Sequence, residues 1–155
     1  MAKVKPIPEG YHAVTPYLIV KGAASAIAFY EQAFGAKELY RLAEPDGRVA
    51  HAELQIGDSR VMLADENPQM GARGPQSIGG TPVSLSLYVE DVDATVARAV
   101  KAGAKLIRPV ADQFYGDRTG GVTDPFGHAW FVMTHVEDVP PDEISRRAAA
   151  QHASQ

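Results

Sequence analysis

The chain has no cysteine among its 155 residues. This absence excludes disulfides, thiolate zinc sites and a cysteine nucleophile. No apolar run approaches the roughly 20 residues needed to cross a bilayer, and the first residues carry no apolar signal core, so we expect a cytoplasmic protein that does not enter the membrane. The 15 basic and 19 acidic residues give a net charge of −4. Since they form no basic cluster, nucleic acid is not an expected partner.

What is present is typical of a globular protein. Apolar residues make up 45% of the chain and charged residues 22%. A chain of this length builds one domain or two tightly joined halves, and it is long enough to bury a stable core. We expect a single domain over residues 1–155.

The most informative pattern is an internal repeat. The stretch from Val20 to Phe34, which ends in Gly35-Ala36-Lys37, returns as the stretch from Val89 to Ala102, which ends in Gly103-Ala104-Lys105. Each copy has the signature of a strand, a helix and further strands, the last preceded by a glycine turn. The repeat predicts a first module over 12–65, a proline- and glycine-rich linker over 66–82 and a second module over 83–135. A partly helical tail then fills 136–155.

Local signals fix most of the elements. The first helix is predicted at Ala23–Phe34, where Gly35 is a natural stop, and the second at Val92–Ala102, where Asp91 is placed to cap it. Pro16 removes one ladder hydrogen bond from the first strand, so that strand should lie at a sheet edge or contain a bulge. The predicted strands cover residues 12–20, 38–43, 49–56, 60–64, 83–89, 106–110, 113–122 and 129–134.

Two strands alternate between polar and apolar residues, which indicates that one face packs on helices and the other meets water or a ligand. The polar residues are His51, Glu53, Gln55, Ser84, Ser86 and Tyr88. In an isolated sheet they would form a solvated face. In a duplicated unit, two such sheets can curl into a cup with these residues on its inner wall.

Several motifs resemble those of the glyoxalase/bleomycin-resistance/dioxygenase group, the vicinal oxygen chelate superfamily, and its PhnB-like branch. They are the segments 16–20, 26–36, 51–54, 62–65, 115–118, 124–130 and 134–139. The resemblance covers about residues 12–147. It implies an α+β fold of paired βαβββ modules that form a cupped, mostly antiparallel eight-stranded sheet with helices on its outer face. It also implies a homodimer.

In metal-dependent members of that superfamily, the first and last strands of each module supply the metal ligands. By position, the resemblance places Thr15, Ser84, Phe131 and Leu63 there, or Val61 if the turn is one residue shorter. None is a credible ligand for a divalent ion, so we expect no family metal and no other cofactor. The alternative is a non-standard divalent metal site at His51 and Glu53, which lie two apart on one strand, with Asp65 as a third donor.

Other side chains allow more than one interpretation. Arg118, beside Asp117, could anchor an anionic ligand or form a structural ion pair. Tyr17, Tyr88, Phe114 and Tyr115 could line a pocket for a flat, amphipathic ligand. Trp130 is more typical of core packing, and His128, at a turn, of a backbone hydrogen bond.

Two functions follow. The first is a binding protein that holds a small organic molecule, hydrophobic or cationic, in the cup. Its candidate ligand-binding residues are Thr15, Tyr17, Gln55, Leu63, Asp65, Ser84, Ser86, Tyr88, Phe114, Arg118 and Phe131. The second is a lyase, isomerase or dioxygenase that uses either a non-standard metal or His51 and Glu53 as a catalytic acid–base pair.

Overall fold

The computed structural model of the chain describes residues 3–154. Each half begins with a strand and a helix and continues with three strands, as the repeat predicts. The elements are β1 (Tyr17–Val20), α1 (Ala23–Phe34), β2 (Lys37–Ala43), β3 (Val49–Ile56), β4 (Ser59–Asp65), the short α2 (Pro75–Ile78), β5 (Ser84–Tyr88), α3 (Val92–Lys101), β6 (Lys105–Asp112), β7 (Asp117–Thr123), β8 (Ala129–His135) and α4 (Pro141–Ala153).

The strands form two four-stranded sheets with the same topology. Sheet 1 has the order β1-β4-β3-β2 and sheet 2 the order β5-β8-β7-β6. In each, the first strand runs parallel to the last and the other pairs are antiparallel. The predicted α+β fold of paired modules is confirmed. The eight strands are divided between two sheets that do not close on each other.

The helix boundaries follow from their caps. Helix α1 ends at Gly35, whose φ of 68° is the left-handed conformation that favours glycine. Helix α3 begins after Asp91, whose side chain accepts a hydrogen bond from the backbone N–H of Ala94 at 3.1 Å. Both predicted caps are confirmed, and α3 ends one residue earlier than predicted.

One continuous core joins the two halves. Helices α1 and α3 pack on one face of the sheets and against each other. Tyr30 of α1 is fully buried against Trp130 of β8, with the ring centroids 5.3 Å apart. The core position predicted for Trp130 is therefore confirmed, and α1 and α3 leave the opposite face of each sheet uncovered.

Two strands begin several residues later than predicted. β1 starts at Tyr17 rather than His12, because Pro16 has no N–H to donate; its carbonyl accepts from the Met62 N–H at 2.9 Å. β1 is an edge strand, as Pro16 predicts. β7 starts at Asp117 rather than Gln113, because residues 113–116 form a turn closed by a hydrogen bond from Gly116 to Gln113.

No helix in residues 3–154 is long and apolar enough to span a membrane.

Candidate functional site

The face of each sheet opposite α1 and α3, called here the open face, carries the alternating polar residues. On β3, Ala52, Leu54 and Ile56 are buried while the residues between them are half-buried. On β5, the leucines pack toward the core while Ser84, Ser86 and Tyr88 are exposed. The sorting of faces predicted from the sequence is therefore confirmed.

A chain of titratable side chains crosses the open face of sheet 1. The Tyr17 hydroxyl lies 2.7 Å from His51 Nδ1, and His51 Nε2 lies 3.4 Å from a carboxylate oxygen of Glu53. The hydroxyl of Tyr11, from the segment before β1, donates to the other oxygen of Glu53. Partial burial raises the pKa of Tyr17, so its phenol remains protonated at neutral pH and can donate to His51.

A second chain crosses the open face of sheet 2. Asp117, only 6% exposed, accepts from the Tyr88 hydroxyl at 2.8 Å and lies 2.8 Å from His135 Nδ1. His135 Nε2 lies 2.7 Å from Asp138. The hydrogen bond to Asp117, followed by that to Asp138, raises the pKa of His135. The hydrogen bond to Asp117 is also the main cause of the raised pKa of Tyr88.

We expect His135 to titrate above 6.5, its usual pKa, in an NMR titration of the ring. Asp117→Asn should lower this pKa more than Asp138→Asn, because Asp138 is fully exposed and its charge is screened by water. Since the folded-state pKa is raised, the ion pair stabilises the fold below pH 6.5 and loses that contribution as the pH rises through the folded-state pKa. A wild-type pKa at or below 6.5 would contradict this arrangement.

The predicted ligand-binding residues are divided among separate clefts. A cleft of about 430 Å³ at the seam between the sheets is lined by Thr15, Ser84 and Ser86. Another of about 480 Å³ lies under the start of α4 and includes Tyr88, Asp117 and His135. A third, of about 380 Å³, includes Tyr17 and Asp65.

The last strands differ from the prediction in one position. Leu63 is fully buried in the core, so its predicted place on the inner wall is wrong. The residue facing the open side is Met62, which pairs with Tyr17. On β8 the open face carries Phe131, as predicted, and it pairs with Ser86. The error arises because the turn before β4 has two residues, 57–58, and the turn before β8 has five, 124–128, so the two last strands do not present the same faces at matching distances from their turn glycines.

Four of the predicted ligand-binding residues make structural contacts within the chain. Asp65 accepts from the backbone N–H groups of Gly22, Ala23 and Val49 at 2.8–2.9 Å, so it ties α1 and β3 to the end of β4. Arg118 forms ion pairs with Asp93 and Asp112, which agrees with the predicted structural role rather than with the anchoring of an anionic ligand. The Phe114 carbonyl accepts from Arg147 of α4. Gln55 donates to the Gly57 carbonyl, and His128 lies 3.0 Å from the Ile19 carbonyl, as predicted.

The donor set does not fit the metal that the family resemblance implies. Thr15 lies outside β1, and the last strands present Met62 and Phe131, which offer no oxygen or nitrogen donor. Within residues 3–154, no three His, Cys, Asp or Glu side chains are grouped to hold a metal ion. His51, Glu53 and Asp65 therefore do not form the alternative site.

Sequence reasoning missed Tyr11, Asp117 and His135 as members of the open-face clusters. Asp117 and His135 are directly paired across β7 and β8. This pairing cannot be predicted without knowing that β7 starts at Asp117. Tyr11 reaches Glu53 from a segment without strand periodicity, and no local signal in the sequence marks that contact.

Comparison with known proteins gives a consistent result. A sequence model described as the Glyoxalase/Bleomycin resistance protein/Dioxygenase superfamily matches residues 11–132. An uncharacterized protein of Mycobacterium bovis is 49% identical over 142 residues, which cover 90% of this chain and 93% of that protein. The crystal structure of an Arabidopsis thaliana gene product is 31% identical with a TM-score of 0.66, over 82% of this chain and 99% of that one. TioX from Micromonospora sp. ML1 is 27% identical with a TM-score of 0.62, over 81% and 99%.

Proposed function

Because the chain belongs to the Glyoxalase/Bleomycin resistance protein/Dioxygenase superfamily, we propose that it binds a small organic molecule on the open faces of its sheets, without the family metal. The observation that carries this proposal is an open face that combines exposed aromatic side chains with partly buried hydrogen-bonding groups. Tyr88 is 61% exposed above Asp117, which is 6% exposed. Ligand sites in proteins commonly combine apolar walls with a few fixed polar groups.

The apolar part of the site lies beside the polar cluster. Phe131 and Met133 occupy successive open-face positions on β8, next to Ser86 and Tyr88 on β5. All four side chains are partly or largely accessible. A planar ligand could therefore pack on Phe131 while its polar groups reach Ser86 or the Tyr88 hydroxyl.

The proposal includes a homodimer in which a second copy covers the open faces. Leu42 pairs with His51 across sheet 1 and is 50% exposed, and Tyr40, paired with Glu53, is also 50% exposed. At the edge of sheet 2, Ile107 of β6 is 46% exposed. Apolar side chains in this number along sheet edges are typical of a protein interface. A second copy fits because each half of the molecule presents the same kind of open sheet.

Isothermal titration with three probes of one shape tests the binding function. These are neutral 2-naphthamide, anionic 2-naphthoate and the cationic 2-naphthylmethylammonium ion, with and without EDTA. At least one should bind saturably, and EDTA should not weaken it. Phe131→Ala should weaken that binding by about ten-fold, the effect of losing one aromatic contact. Phe114→Ala, a matched change in the turn before β7, should have no effect.

Absence of saturable binding by all three probes would contradict the proposal. So would equal losses in Phe131→Ala and Phe114→Ala, because the ligand would then not recognise the open face.

A catalytic function is the second candidate, and the Tyr17–His51–Glu53 chain favours it. In the tautomer that donates from His51 Nε2 to Glu53, His51 Nδ1 accepts a hydrogen bond from the Tyr17 hydroxyl. Tyr17 is then the group that exchanges a proton with a bound molecule. His51→Ala separates the two functions. Probe affinity that survives His51→Ala supports binding alone, whereas turnover of a bound compound that is lost in His51→Ala supports the catalytic function.

A further inference from the structure

A row of four residues crosses all the strands of sheet 2 on its open face. Ser86 pairs with Phe131, Phe131 with Gly121, and Gly121 with Arg108. With strands about 4.8 Å apart, the row spans about 14 Å. It places a hydroxyl at one end, an aromatic ring near the middle and a guanidinium at the other end.

Arg108 is held in this row by the backbone and by the ring. The register of β6 against β7 shifts on both sides of Arg108, and such bulges re-aim a side chain. Its guanidinium carbon lies 5.2 Å from the centroid of the Phe131 ring, within the range of a cation–π interaction.

Gly121 makes this arrangement possible. A Cβ atom there would lie 2.9 Å from Phe131 Cε1 and 3.2 Å from Arg108 Cβ. The missing side chain therefore lets the ring lie across β7 and reach the arginine.

The donors of Arg108 have no acceptor within residues 3–154, and no carboxylate there lies within 4.0 Å of it. Arg60 is its closest counterpart, since it lies 5.2 Å from the ring of Tyr11 near sheet 1. Arg60, however, donates from Nε to the Gly10 carbonyl at 3.2 Å and so fixes the segment before β1.

We infer that Arg108 is the anion-recognition group of the ligand site, and that the ligand is a planar apolar molecule bearing a carboxylate. The inference rests on the proposed binding function and specifies its ligand class. A guanidinium presents paired N–H donors that match a carboxylate, and a single guanidinium balances a single negative charge. The ligand's apolar body extends from Arg108 along Phe131 toward Ser86. The chain's net charge of −4 favours a cationic ligand, but charges within a few ångströms dominate over the net charge in water and salt.

The test compares 2-naphthoate with its neutral isostere 2-naphthamide by isothermal titration on the full chain. The wild type should prefer the carboxylate by about ten-fold, as expected for a charge-assisted pair. Arg108→Gln should abolish the preference and leave the affinity for 2-naphthamide unchanged. Arg60→Gln, the matched control, should retain the preference.

Equal affinity of the wild type for both compounds would overturn the inference and leave the binding function standing. Binding of the 2-naphthylmethylammonium ion alone would do the same, whereas no binding of any of the three probes would overturn both. Loss of the preference in Arg60→Gln instead of Arg108→Gln would also overturn it. Sedimentation of Arg108→Gln supplies a further test, because dissociation of a dimer would mean that Arg108 pairs with the partner chain rather than with a ligand.

Discussion

Replacing Asp124 with alanine is expected to lower the free energy of unfolding by about 3–5 kcal/mol, because several hydrogen bonds to one buried carboxylate are lost together. Asp124 is 3% exposed, and its carboxylate accepts four hydrogen bonds. One oxygen accepts from the Phe126 and His128 backbone N–H groups at 2.9 and 3.0 Å. The other accepts from the Tyr30 hydroxyl at 2.6 Å and from Trp130 Nε1 at 2.9 Å. The side chain thus joins α1 of the first module to β8 of the second.

The loss is large because alanine leaves buried donors without an acceptor. Tyr30→Phe removes only one of the four donors and should cost about 1–2 kcal/mol. Asp58→Ala, a matched change at the exposed turn before β4, should stay within about 0.5 kcal/mol of the wild type. Urea unfolding followed by circular dichroism measures all three. A change below about 1 kcal/mol for Asp124→Ala would mean that this carboxylate does not hold the modules together.

The second large effect concerns assembly: sedimentation equilibrium should give twice the mass of the 16.6 kDa chain. The open face of sheet 1 exposes Leu42 and Tyr40 by 50% each, and Ile107 at the edge of sheet 2 is 46% exposed. Covering them would remove apolar area from water at about 25 cal/mol per Å². Because this term is not electrostatic, the dimer should persist at high salt.

A charged substitution on the open face should dissociate this dimer. Leu42→Asp places a carboxylate on the open face, where a second copy would have to remove the charge from water. Val100→Asp is the matched control, since Val100 is 42% exposed but lies on α3, away from the open faces. A single-chain mass for the wild type at tens of micromolar protein, a concentration at which a standard-size interface is occupied, would contradict the dimer. Dissociation by Val100→Asp alone would locate the interface on the helices instead.

The architecture was accessible from the sequence because its signals are local. Glycine at 35 ends α1, Asp91 caps α3, and alternation on β3 and β5 sorts buried from open residues. Each depends on backbone conformation or on burial within one element. The internal repeat then predicts that two βαβββ modules pair in one molecule, which no single helix or strand indicates.

The site was less accessible because its contacts depend on register and on loop length. The turns before β4 and β8 differ in length, so Leu63 lies in the core and Met62 on the open face. Asp65 has the residue type of a ligand donor, yet three backbone N–H groups occupy its oxygens. Arg108 carries no motif in the sequence. It becomes notable only when the sheet 2 register places it over Phe131 across a glycine.

The most direct test of a ligand site on the open faces is to map amide chemical shifts in a ¹⁵N-labelled chain during titration with 2-naphthoate. Binding there predicts shifts that cluster at Ser86, Thr119, Gly121 and Phe131, with little change along α1 and α3. Shifts confined to the helices, or none at saturating probe, would contradict it.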